Sequence, residues 1–246
     1  MKQYKVAIIG NGMICNAAHI PAYKAMGDKV KIVAVADIRE EAAKETAERH
    51  GIPKYYVDPY KMLEEEKPDI ISVCTPNAYH KEYTLAGFRA GCHVVCEKPV
   101  AVTCADAEEM FNAAEKAGKH LFVIQSLRFT GNFKAAAGLA KSGCLGDIYY
   151  ADLNLVRRRG VPRWGMFHMA KENVGGAFCD LGVHMCDYLM SISGNPKMVS
   201  VSGSAVTRIV NKEKNIEFSN AESGAPTGLF TPRKFDMKEF DVEEFA

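Results

Sequence analysis

The sequence predicts an α/β protein whose first half is a doubly wound parallel sheet and whose second half is a smaller α/β unit. Three observations predict it. Short apolar runs alternate with amphipathic stretches of helical length throughout the first half, the pattern of a parallel sheet covered by helices. The run Val30–Ala36 is nearly all apolar, as a strand buried on both faces requires. Gly51, Gly91 and Gly118 stand where three of the amphipathic stretches end, the place of a helix stop.

In chain order the expected elements are a strand at 6–9, a helix at 13–26, the strand Val30–Ala36 and a charged helix at 40–49. A short strand at 55–57 follows, then the helix Pro59–Glu66, a strand at 69–74 and a helix at 78–90. The apolar run 92–96 is the next strand, followed by a helix at 105–117 and a strand at 120–124. After Gln125 the pattern changes. A helix over Gly131–Lys141 is followed by a longer strand at 148–156, which alternates as a strand of an antiparallel sheet does. Residues 157–165 form a loop, a helix covers 178–192 and a further strand covers 199–206. The expected domains are therefore 1–125, a doubly wound α/β unit, and 126–246.

Composition narrows the function classes. Of 246 residues, 48% are hydrophobic and 25% charged, with a formal net charge of +1, so there is no basic footprint for nucleic acid. No apolar stretch is long enough to span a bilayer, and the N-terminus lacks the pattern of a signal peptide. The eight cysteines are scattered, mostly within apolar segments and without a Cys-x-x-Cys pair, which reads as buried reduced thiols in a cytoplasmic protein. Cys92, His93 and Cys96 lack a fourth ligand with metal spacing, so no metal site is expected.

Gly10-Asn11-Gly12-Met13-Ile14-Cys15 joins the first strand to the first helix. The first glycine permits a tight turn, and the second lets backbone approach a pyrophosphate resting on the helix N-terminus. Cys15 stands where a third glycine or alanine is usual. Asp37 closes the second long strand, where a carboxylate accepts hydrogen bonds from both ribose hydroxyls and repels a 2′-phosphate. The pair points to NAD, with NADP open because Arg39 can face a phosphate or stack on adenine. Cys74-Thr75-Pro76-Asn77 ends the next strand, with His80 shortly after. Thr75 and Asn77 can serve a cofactor there, or Asn77 can simply cap the following helix.

Glu97-Lys98-Pro99 follows another buried strand. A lysine at the carboxyl end of a parallel strand, held extended by the proline, can act as a point charge or proton carrier. Asp180 and His184 lie four apart on one helix, hence on one face, after the glycine pair Gly175-Gly176. Histidine is the usual general base near neutral pH and a carboxylate beside it can orient it; the same spacing also suits a surface ion pair. Arg163 and Trp164 sit in a loop that can close over a cofactor or fill a domain interface.

With these residues assembled, the chain resembles the Gfo/Idh/MocA family of nicotinamide-dependent oxidoreductases. The matching pieces are Gly10-Asn11-Gly12, His19-Ile20-Pro21, Asp37, Thr75-Pro76-Asn77 with His80, Glu97-Lys98-Pro99, and Gly175-Gly176 followed by Asp180, Gly182, His184 and Asp187. The resemblance implies an N-terminal Rossmann domain and a C-terminal α/β domain on a mostly antiparallel open sheet. It implies hydride exchange with a secondary alcohol of a sugar, cyclitol or similar polyol, and a homo-oligomer formed through that sheet. His184 would take the hydroxyl proton, Lys98 would hydrogen-bond the same oxygen, Asp180 would tune His184, and the Lys98-Pro99 bond would be cis. The expected cofactor positions are Gly10, Gly12, Met13, Ile14, Asp37, Arg39, Cys74, Thr75, Pro76, Asn77, His80, Glu97, Lys98, Arg163 and Trp164. Members of the family usually continue beyond this length, so the C-terminal domain is expected to be partial. Two other functions fit the same residues: an NAD-binding sensor without turnover, and an NAD-assisted glycoside hydrolase.

Overall fold

A computed structural model describes residues 2–156 and 171–206. Arg163, Trp164, the loop expected at 157–165 and the polar segment 211–246 lie outside the described residues.

Six strands form one parallel sheet: β1 (Tyr4–Ile9), β2 (Val30–Ala36), β3 (Tyr55–Tyr56), β4 (Ile70–Val73), β5 (His93–Cys96) and β6 (Leu121–Val123). Their order is β3-β2-β1-β4-β5-β6, and all five pairings are parallel. The strand order reverses between β1 and β4, and that reversal opens a crevice at the carboxyl ends of the strands. Between the strands run α1 (Ile20–Ala25), α2 (Glu40–His50), α3 (Pro59–Glu66), α4 (His80–Arg89) and α5 (Cys104–Lys116).

Sequence alternation puts both faces of the sheet to use. Val6 and Ile8 of β1 pack with Ile20, Tyr23 and Ala47 on one side, while Ala7 and Ile9 pack with Met62, Phe88 and Met110 on the other. Each such fully buried aliphatic side chain contributes roughly 1.5–3 kcal/mol. The caps follow from the sequence. Asp58 accepts the Tyr60 N–H at the start of α3, and Gly51 closes α2 in the left-handed conformation (φ 63°). The expected first helix begins with a wide π-type turn at Cys15–His19, which seats Cys15 fully buried against the core.

Beyond β6 the described residues form α6 (Gly131–Lys141) and α7 (Val183–Ile192), the latter entered through a π-type turn at Phe178–Gly182. Arg128 holds α7 with a forked ion pair to Asp187 (2.7 and 2.6 Å), and Phe133 meets Tyr188 edge-on at 4.5 Å. Residues 148–156 and 199–206, expected as strands, carry no strand pairing among the described residues. A strand exists through its ladder partners, and alternation alone does not supply them. The cysteine expectation is corrected in part: all eight thiols are free, but Cys104, Cys144 and Cys186 are exposed, since they lie on outward helix and turn positions.

Candidate functional site

The carboxyl ends of β1, β2, β4 and β5 line one cavity of about 480 Å³, of a size that suits a small-molecule or cofactor site. Its floor begins at Gly10, whose N–H donates to the Ala36 carbonyl at 2.8 Å. Gly10 has φ +91°, and a Cβ there would stand 2.7 Å from the Cys74 carbonyl, so only glycine lets β1 and β4 approach at this turn. A Cβ on Gly12 would meet nothing within 4 Å, leaving its backbone open to a close ligand. Asn16 holds the turn from below, donating to the Asn11 and Gly12 carbonyls at 3.0 and 2.9 Å.

Asp37, 8% exposed, sits at the end of β2. Its Oδ2 accepts the Asn11 N–H at 2.8 Å, and its Oδ1 accepts the Arg39 N–H at 3.0 Å. The Arg39 guanidinium adds contacts at 3.1 and 3.3 Å. Ile38, Pro59, Tyr79 and Tyr83 complete this end. None of the four carries a motif, and only their shared position at strand ends and helix starts points to them.

The opposite end is built on Cys74-Thr75-Pro76 and Glu97-Lys98-Pro99. His80 ties these turns together, with Nδ1 2.7 Å from the Pro99 carbonyl and Nε2 2.9 Å from that of Thr75. A neutral imidazole donates through one nitrogen only; burial pushes His80 below its ordinary range while the two carbonyls pull the other way. Beneath, the Glu97 carboxylate meets His19 Nε2 at 2.9 Å and accepts the Lys98 N–H at 3.2 Å. The Lys98-Pro99 peptide is cis. Burial also pushes the Cys74 thiol well up, which keeps it un-ionised at the cavity wall.

From above, the turn before α7 brings Asp180 and His184 to Lys98. Lys98 Nζ donates to both the carbonyl and Oδ1 of Asp180 at 2.8 Å. His184 Nδ1 lies 3.1 Å from Gln125 Oε1. With that oxygen as acceptor, Nδ1 carries the hydrogen and Nε2 is left to accept a proton. Burial and the Lys98 charge hold the imidazole below its ordinary range, with Asp180, Glu97 and Asp187 opposing them. Asp180, placed by spacing beside His184, thus makes its hydrogen bonds with Lys98, and Gln125 is the direct partner of the histidine. Gln125 has a positional signal in the sequence: it follows the sixth strand at the same edge as Lys98.

All the described cofactor positions named from the sequence line this cavity, as do Asp180 and His184. Among the described residues no group of three or more His, Cys, Asp or Glu could hold a metal ion, and no helix is long and apolar enough to cross a membrane.

Comparison with known proteins then decides the lineage. Residues 4–125 match the Gfo/Idh/MocA oxidoreductase family, NAD-binding Rossmann fold, and residues 133–223 match the Gfo/Idh/MocA C-terminal domain. The chain belongs to the Gfo/Idh/MocA oxidoreductase family. Within this family, D-glucoside 3-dehydrogenase of Escherichia coli (strain K12) is 40% identical over 205 residues, 83% of this chain and 58% of the relative. Myo-inositol 2-dehydrogenase of Thermotoga maritima is 30% identical, over 77% of this chain and 55% of the relative. Among solved structures, the WlbA dehydrogenase from Chromobacterium violaceum, in complex with NADH and UDP-GlcNAcA, is 29% identical with a TM-score of 0.71. That match covers 78% of this chain and 56% of the other. The chain therefore spans little more than half the length of the relatives it matches.

The Gfo/Idh/MocA cofactor is NAD, with NADP variants in the family. The cleft fits a dinucleotide on its own terms. Thr75 Oγ1 is buried without a hydrogen-bond partner at the cavity wall, Gly12 leaves its backbone open, and Asp37 waits at the far end.

Proposed function

We propose that this chain carries the cofactor site and proton-handling groups of an NAD-dependent oxidoreductase acting on a secondary alcohol of a sugar, cyclitol or related polyol. The convergence of Lys98, Asp180 and His184 at one end of the dinucleotide cleft carries the reading. The nicotinamide, when bound, supplies the hydride acceptor. His184 Nε2 takes the hydroxyl proton, and Lys98 Nζ donates to the same oxygen, where its charge favours the developing alkoxide. Asp180 holds Lys98 in place and tempers its effect on His184. The Asp37 carboxylate favours NAD over NADP.

Residues 1–125 act as the Rossmann domain and 126–246 as the substrate and assembly domain. In that second domain, 148–156 and 199–206, unpaired among the described residues of the single chain, become strands of a mostly antiparallel sheet on pairing with another subunit in a homo-oligomer. Free thiols throughout suit a reducing, cytoplasmic setting.

The test is a panel of sugars, inositols and their keto forms, followed by NADH absorbance, for the wild type and for Lys98→Ala and His184→Ala. Each substitution is expected to slow hydride transfer by about 10²–10⁴ at saturating cofactor. Unchanged rates in both variants would sink the mechanism.

A further inference from the structure

Asn77 opens a short helical turn (Asn77–Tyr79) that leads into α4, and its side chain caps neither. It faces a segment nearly a hundred residues away instead. Nδ2 donates to the Val174 carbonyl at 2.9 Å, and Oδ1 accepts the Val174 N–H at 2.9 Å. The amide thus pairs with one residue's main chain as a strand would, and Nδ2 also reaches Asn173 Oδ1 at 3.2 Å. Asn77 is 5% exposed, so water is a poor substitute for these bonds. A neighbouring contact runs along the same seam: the Ala78 N–H donates to the Glu172 carbonyl at 3.3 Å, and the Glu172 carboxylate holds the Tyr79 hydroxyl above its ordinary range.

The turn after Val174 is tight and short. Gly175 and Gly176 reverse the chain with φ 89° and 57°. The Gly176 N–H donates back to the Asn173 carbonyl at 3.3 Å, and the Cys179 N–H to the Gly175 carbonyl at 3.4 Å. A Cβ on Gly175 would collide with Cys179, so the turn is held tightly against the helical segment bearing Asp180 and His184. A point fixed at Val174 therefore fixes the start of that helical segment.

We propose that Asn77 is a positioning residue, whose side-chain pairing with the Val174 main chain sets the seat of His184 and Asp180 over Lys98. The inference rests on the functional reading of Lys98, Asp180 and His184 as the proton-handling groups. It reassigns Asn77 from a group that touches the cofactor to one that aligns the two walls of the site. Alignment matters because a displacement of about 1 Å in a catalytic constellation costs on the order of 10²-fold in rate.

The experiment uses the full chain, Asn77→Ala and Asn77→Asp, with two readouts that need no turnover. Backbone amide exchange at Val174 is expected to quicken about tenfold or more in Asn77→Ala, while amides of β1 and β4 keep their protection. In the same variant the His184 titration, followed by NMR, is expected to rise toward 6.5 as the imidazole moves off Lys98. Asn77→Asp keeps the size and the acceptor for the Val174 N–H but loses the donor, so if the alanine variant does not fold it is read at His184, whose titration should shift in the same direction. Wild-type exchange at Val174 in a folded Asn77→Ala would overturn the proposal. So would a faster Val174 amide with an unmoved His184, which is what a merely structural tie gives, or loss of the whole fold in both variants. A chain that turns over no polyol would defeat the functional reading and leave these two readouts standing.

Discussion

At the residue scale, the charge environment of His184 makes a signed prediction. Burial and the Lys98 ammonium disfavour the imidazolium, so the neutral base dominates at neutral pH. Removing Lys98 removes one of those two causes. In Lys98→Ala the His184 midpoint should therefore rise toward 6.5, and an NMR titration of the ring checks it. With its folded value lowered, His184 binds a proton more readily in the unfolded chain, so its contribution to stability is present above about 6.5 and is lost as pH falls. Asp37 offers a second case. Its two oxygens already serve Asn11 and Arg39, which fill the roughly four acceptor places of a carboxylate. A ribose must displace the Arg39 guanidinium, which is 64% exposed and weakly held. Arg39→Ala should then bind NADH at least as tightly as the wild type and NADPH several-fold more weakly, as NADH and NADPH fluorescence titrations would report.

At the element scale, the turns between strands and helices carry the site, and they are where substitution is costly. His19, on the first helical segment, and Glu97, at the end of β5, form a buried pair at 2.9 Å, with side chains 6% and 10% exposed. His19→Ala strands a buried carboxylate and should lower unfolding free energy by about 3 kcal/mol, read from urea denaturation. Gly10→Ala forces a Cβ into the Cys74 main chain at a left-handed φ, and should abolish NADH binding before it abolishes the fold. Most of this was legible in the sequence. The strand ends at Gly10, Asp37, Thr75 and Lys98 announce themselves because each follows directly on an apolar run, and at Gly10 the backbone also dictates the residue type. Gln125, Tyr83, Glu172 and the true partners of Asn77 do not. The contacts of Gln125 and Asn77 reach across 59 and 97 residues, which no local pattern encodes. The segments 148–156 and 199–206 show the converse: alternation reads as strand, yet a strand is made by its neighbours.

At the scale of the whole molecule, the cleft has a floor from residues 9–99 and a roof from 172–184. A dinucleotide held between them ties the two together, so NADH at a hundred times its Kd should stabilise the chain by about 2.7 kcal/mol. A melting scan with and without NADH would register this, and the absence of any shift would count against the cleft as a cofactor site. The Asn77–Val174 pairing joins positions 97 apart, and Lys98 to Asp180 spans 82. Closing loops of that length costs somewhat more entropy than the parallel pairings, whose crossovers are shorter, though the excess grows only with the logarithm of loop length. The order of assembly follows from support: Asn77 is held at the end of β4, so β4 must be in place before the distant turn can pair with it. The sheet forms as a platform, and the site is completed only when the distant turn lands on Asn77. In a refolding experiment with pulsed exchange, protection of β1 and β4 should precede that of Val174.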